Sequence, residues 1–157
     1  MSEQLIISVS REYGSGGHEI AQKLAEYYKL PMYDHNLLDE VAASMNVSSK
    51  ELAEFDEKRR NKFLYRSVMG MNSSPADNVA RMQFDYIKKK AEAGESFVIV
   101  GRCSEIVLKD NPHLISIFVL GDREAKIERV MRIYELDARH AEERTVAESL
   151  TTIVIVR

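Results

Sequence analysis

Residues 11 to 18, Arg-Glu-Tyr-Gly-Ser-Gly-Gly-His, combine the residue types that can hold an anion. Gly14, Ser15, Gly16 and Gly17 present backbone with almost no side chain, so successive N–H groups can converge on one phosphate. Arg11 and His18 flank them and can add positive charge. A further cation, Arg102, follows Gly101 directly after the apolar run Ser96 to Val100. Its planar guanidinium suits bidentate contact with a phosphate, the alternative being a structural ion pair. The chemistry open to these groups is phosphate binding and phosphoryl transfer, in which the protein positions the reactants and neutralises charge. Cys103 has no partner base in the pattern, which argues against a cysteine nucleophile.

Positioning these groups requires a strand that stops where the glycines begin and a helix that starts where they end. Leu5, Ile6, Ile7 and Val9 form an apolar, β-branched run suited to a strand buried on both faces of a parallel sheet. Ile20, Ala21, Leu24, Ala25 and Tyr28 recur at helical spacing and predict one buried helix face. A helix start adds unpaired donors and the positive end of its dipole, which makes strand, glycine turn and helix a phosphate cradle. Taken alone, the same glycines could serve only as a tight strand-to-helix turn. Pro31 ends the helix, and Met32 to Asp34 reads as a short strand. Asp34 lies near that strand's carboxyl end, where open α/β sheets place ligands; it could equally cap the next helix.

Further along, Leu37, Leu38, Val41 and Ala42 have helical spacing, and Ser48 or Ser49 before Glu51 reads as another helix start. Residues 50 to 70 read as a charged, solvated helix with acids leading bases, Asn72 to Pro75 as a loop, and Val79 to Ala93 as a helix closed by Gly94. Leu114 to Leu120 is a third apolar run and predicts another buried strand. After it, Ile127, Val130, Met131 and Tyr134 mark the buried face of a helix. The apolar ending Ile153 to Val156 reads as a strand. Buried strands alternating with helices imply a three-layer α/β fold, a parallel sheet flanked by helices with right-handed crossovers.

The string from Ser10 to Ile20, Ser-Arg-Glu-Tyr-Gly-Ser-Gly-Gly-His-Glu-Ile, closely resembles the loop of the cytidylate kinase-like family. A strict P-loop reads G-x-x-x-x-G-K-[ST]. Laid without gaps on the loop of the cytidylate kinases, Gly16 falls on the last glycine, Gly17 where the lysine belongs, and His18 where the Ser/Thr for magnesium belongs. The lysine-free form is the usual one in the like family. Gly101 and Arg102 match a Gly-Arg pair whose arginine contacts the monophosphate in the cytidylate kinases. Cys103 stands in place of their aspartate, as is common in the like family.

This resemblance, which covers roughly residues 4 to 140, implies one domain of P-loop nucleoside-monophosphate-kinase type over residues 1–157. It further implies a helical acceptor-binding insert over 35–94, and 135–157 as a degenerate or incomplete lid and C-terminal part. The activity it implies is phosphorylation of a nucleoside monophosphate, CMP or dCMP, by ATP with magnesium. Gly14 to His18 with Arg11 would hold the donor phosphates, and Arg102 the acceptor phosphate. Asp34 aligns with an aspartate at the edge of the nucleotide site, and Arg129 with an arginine at the start of the lid. Arg66 and Arg81 are candidates for phosphate contact, with a surface charge as the alternative for each. Because a loop lysine, a magnesium Ser/Thr and lid arginines are missing, two other readings stand beside it. One is a nucleotide- or phosphate-binding module with little transferase activity; the other is a kinase of another small acceptor. A homodimer that lends an arginine in trans would fill the gap in the lid.

Composition bounds the setting. A chain of 157 residues with 45% apolar and 30% charged residues is ordinary for one globular domain. A net charge of -3 argues against a nucleic-acid platform but leaves room for a small anionic ligand. The single cysteine excludes an internal disulfide and favours a reduced, cytoplasmic setting. No apolar run predicts a membrane span, and the N-terminus has no signal-peptide pattern.

Overall fold

A computed structural model describes residues 3–34, 36–45, 75–101 and 103–153. They fall into two compact units, one built from the residues up to Tyr33 with those from Glu95 onward, the other from Asp34 to Gly94. The first unit holds β1 (Ile6–Arg11), α1 (Gly17–Tyr28), β2 (Met32–Tyr33), β3 (Phe97–Val100), α4 (Ser104–Val107), β4 (Leu114–Val119), α5 (Arg123–Tyr134) and α6 (Ala138–Ile153). The second holds α2 (Leu37–Met45) and α3 (Pro75–Glu92).

The four strands of the first unit form one parallel sheet in the order β2-β3-β1-β4. β1 lies inside it, with Ile7 opposite Val98 on one side and Ile115 on the other. Ile6, Ile7, Ser8 and Val9 are all buried, as a doubly covered strand requires. On one face Ile7, Val9, Val98, Val100 and Val119 pack against Ala21 and Ala25 of α1. The buried face of α1 is thus Gly17, Ala21 and Ala25, while Ile20 and Tyr28 are exposed. Of the expected face, Ala21 and Ala25 are buried and Leu24 packs partly buried against the core, while Ile20 and Tyr28 are corrected to exposed positions. Small residues at i, i+4 and i+8 let the helix backbone approach the sheet, which pushes the larger side chains to the flank.

Two other expectations change. β4 forms, but of its residues only Val119 is buried; Ile115 and Phe118 are about half exposed, and Leu120 beyond it more so. An apolar run carries the same pattern at the edge of a sheet as at its centre, and β4 occupies an edge of this sheet. Ile153, read as the start of a strand, is instead the last residue of α6, while residues 154–157 lie outside the described residues. α6 begins at a side-chain cap, the carboxylate of Asp137 accepting the His140 N–H at 2.9 Å. It packs on α5 with Ala141 and Thr145 buried.

A short chain of buried hydroxyls ties the middle of β1 to the corner that follows β3. Ser104 Oγ donates to the Gly101 carbonyl at 2.8 Å, so the 2.8 Å contact between Ser8 Oγ and Ser104 Oγ has Ser8 as donor. Leaving either buried hydroxyl without its partner costs about 1 to 3 kcal/mol. The chain fixes a corner at which Gly101 (φ 68°) and Cys103 (φ 51°) both take left-handed backbone.

In the second unit, Leu37, Val41 and Ala42 of α2 are buried, as are Gln83, Ile87 and Ala91 of α3. Tyr86 donates to Glu40 Oε2 at 3.3 Å between the two helices. Pro75, expected in a loop, opens α3, where a missing N–H costs nothing. The expected helix over 50 to 70, the start near Ser48 and Ser49, and Arg66 lie outside the described residues. Among the described residues, no helix is long and apolar enough to cross a membrane.

Candidate functional site

The glycine stretch forms a compact loop between β1 and α1. Glu12 N–H donates to the Val119 carbonyl at 3.0 Å, which fastens the loop to the edge of the sheet. The loop turns back on itself where Ser15 donates twice to the Glu12 carbonyl, from N–H at 3.2 Å and from Oγ at 2.7 Å. Gly14 (φ 77°) and Gly16 (φ 84°) take left-handed backbone that other residues reach only with strain. Gly16 precedes α1, whose own hydrogen-bond ladder begins with Ile20 N–H to Gly16 O at 3.1 Å. The amides before Ile20 therefore have no carbonyl of their own helix to reach, the arrangement that binds phosphate at helix starts.

α5 closes over this loop. A Cβ on Gly14 would meet the Lys126 carbonyl and Val130 Cγ2, each at 3.1 Å. A Cβ on Gly16 would lie 2.8 Å from Cζ and Nη1 of Arg129. Arg129 Nη1 donates to the Gly14 carbonyl at 3.2 Å, and its Nε stands 3.6 Å from Glu19 of the first turn of α1. Lys126, one turn earlier on α5, pairs with Glu12 at 2.8 Å and is largely buried. Glu12, Leu120, Gly121, Asp122 and Lys126 line an open groove of about 440 Å³ beside the loop.

The loop also reaches α6 through an aromatic stack. Tyr13 lies parallel to Tyr134 with ring centroids 6.3 Å apart, and the Arg144 guanidinium sits 3.9 Å over Tyr134. Burial, with Tyr134 beside it, pushes the Tyr13 hydroxyl up to about 12, so it stays neutral at physiological pH. Such a stack contributes about 0.5 to 2 kcal/mol and ties the loop to both helices.

Of the residues expected from sequence, Gly14, Ser15, Gly16, Gly17, Arg11 and Arg129 are thus brought together at one loop. His18 is exposed on the first turn of α1. Arg102 lies outside the described residues, between Gly101 and Cys103. Asp34 and Arg81 belong to the second unit. There Asp34 starts α2 through its backbone, its N–H donating to Asn36 Oδ1 at 2.7 Å and its carbonyl accepting from Leu37 at 3.1 Å. Arg81 is exposed on α3. Lys126, Glu12 and the Tyr13–Tyr134–Arg144 stack were not anticipated. The available signal was Lys126 and Arg129 at i and i+3 on the helix after β4, a spacing that puts two cations on one face.

The profile of the cytidylate kinase-like family matches residues 6–149. An uncharacterized protein from Eubacterium ventriosum is 39% identical and superimposes with a TM-score of 0.71, the match covering 96% of this chain and 74% of that one. A kinase candidate from Chloroflexus aurantiacus shares 16% identity over 92% of this chain and 78% of its own, with a TM-score of 0.52. A protein from Thermus thermophilus shares 16% over 94% and 81%, with a TM-score of 0.53. The last two establish a common fold. No curated protein matches the sequence.

Proposed function

Because the chain belongs to the cytidylate kinase-like family, we propose that it transfers a phosphoryl group from ATP to a nucleoside monophosphate, CMP or dCMP. A phosphotransferase is what the family supports, on a four-strand parallel sheet flanked by helices. The finer reading rests above all on Arg129, whose guanidinium α5 holds against Gly16 in a loop with two left-handed glycines. Phosphoryl transfer needs preorganised positive charge at the transferring group more than it needs a protein nucleophile. In this reading the loop amides and Arg129 hold the donor phosphates, and Arg102 holds the acceptor phosphate. The reading needs no arginine lent by a second subunit to this loop, since Arg11 and Arg129 both come from the same chain.

The loop suits a phosphate group through the amides before Ile20, which have no carbonyl of their own helix to reach, and through the Arg129 guanidinium held against Gly16. Among the described residues no cluster of three or more His, Cys, Asp or Glu could hold a metal. Magnesium in kinases is commonly held by the donor's own phosphates with one or two carboxylates, and would arrive here with the donor. A binding module with weak transfer is the second reading, favoured by Gly17 and His18 where lysine and Ser/Thr would stand.

Arg102→Ala tests the acceptor assignment. CMP binding should weaken about 10-fold to 100-fold, the loss of a charge-assisted hydrogen bond, while ATP binding stays near wild type. Calorimetric titration of both ligands reads the difference, and equal losses would remove Arg102 from the acceptor site.

A further inference from the structure

We infer that Arg11 and Gly17 form one device, in which an arginine at the end of β1 takes both the room and the charge that a lysine at position 17 would otherwise supply. The inference rests on reading the loop as the holder of a donor phosphate and specifies which cation meets that phosphate.

The first observation is steric. A Cβ on Gly17 would overlap Arg11 Cβ and lie 2.9 Å from its Cγ. These are atoms of the stem, placed by the backbone of β1, so a change of rotamer at the far end of the arginine does not make space. Gly14 and Gly16 have left-handed backbone, but Gly17 does not. Position 17 is glycine because of Arg11 rather than because of its own conformation. The second observation is direction. From Gly17 the side chain runs to Gly101, where an added Cβ would stand 2.5 Å from Arg11 Nη1. Glycines at both ends thus bracket the arginine along the carboxyl edges of β1 and β3, the edge where parallel sheets bind ligands.

The third observation is charge. Of the other cations described at the loop, Lys126 is paired with Glu12, and Arg129 donates to the Gly14 carbonyl and stands 3.6 Å from Glu19, its buried Nε without a hydrogen bond. Among the described residues, Arg11 is half-buried and pairs with no carboxylate. A partly desolvated cation without an anion is a cost that a phosphate ester bound at this edge would relieve. Among the described cations of the loop, Arg11 is thus the one without a carboxylate, and it meets the donor phosphate beside Arg129, while Lys126 stays paired with Glu12.

The test is calorimetric titration of ATP into the full chain, with melting curves for every variant. Arg11→Met should weaken ATP binding about 10-fold to 100-fold without lowering the melting temperature, and Lys109→Met, an exposed cation on the turn after α4, should bind as wild type does. Gly17→Lys alone should lose binding, and Arg11→Gly with Gly17→Lys should regain it. The inference is overturned by Arg11→Met binding ATP like wild type, or by Gly17→Lys binding undiminished with Arg11 in place. It is equally overturned by a double variant that melts like wild type yet stays weak. Should the lysine variants not fold, Arg11→Met decides alone. Failure of the wild type to bind ATP at all would instead bring down the reading of the loop, and this inference with it.

Discussion

Replacing Arg129 with alanine is expected to lower kcat/KM for ATP by about 100-fold to 1000-fold, the usual loss when one preorganised charge contact to a transition state is removed. The melting temperature should change little, because the side chain is still about a quarter exposed and its ion pair with Glu19 is partly solvated. The guanidinium already sits against Gly16 with one N–H on the Gly14 carbonyl, so little reorganisation precedes its use. Arg129→Lys should recover only a small part of the loss. An ammonium keeps the charge but not the fork that reaches Gly14 and Glu19 together. Steady-state kinetics with ATP varied reads both variants. A kcat/KM within a few-fold of wild type for Arg129→Ala would place the arginine outside the reaction.

Gly16→Ala should come close to the same loss by a different route. At φ 84° a side chain costs roughly 1 to 2 kcal/mol, and its methyl would lie 2.8 Å from the Arg129 guanidinium. The guanidinium is the end of a flexible side chain, so it yields and leaves the loop. The protein should therefore stay folded, with a melting temperature about 2 to 8 °C lower, while phosphoryl transfer falls with the displaced arginine. Because both variants remove one arrangement, the double variant Gly16→Ala/Arg129→Ala should be scarcely worse than the more damaged single. Full additivity in the double-mutant cycle would show that glycine and arginine act independently and would break the proposed contact between them.

The elements around the loop were legible because their signals are local. An apolar run stopping at Arg11, glycines at 14, 16 and 17, and small residues returning at Ala21 and Ala25 are enough to place strand, turn and helix. The chain's likeness to a known loop added the weight that glycines alone lack. What the sequence did not disclose depends on neighbours distant in the chain. Ile115 and Phe118 look like core residues until β4 is seen at the sheet edge. Ile153 begins an apolar stretch that suits a strand, yet it is itself the last residue of α6, whose Ala141 and Thr145 are buried upstream. The need for glycine at 17 is set by Arg11, six residues earlier, through an overlap that no spacing rule encodes. Lys126 and Glu12 are 114 positions apart and meet only because α5 folds back over the loop.

The central claim is that this loop transfers a phosphoryl group without a lysine at position 17. The most direct measurement is ADP release from ATP and magnesium by the chain, with and without CMP. Release that depends on CMP and disappears in Arg129→Ala is expected. Tight ATP binding with no ADP formed in the presence of CMP or dCMP would contradict the claim and leave a nucleotide-binding module.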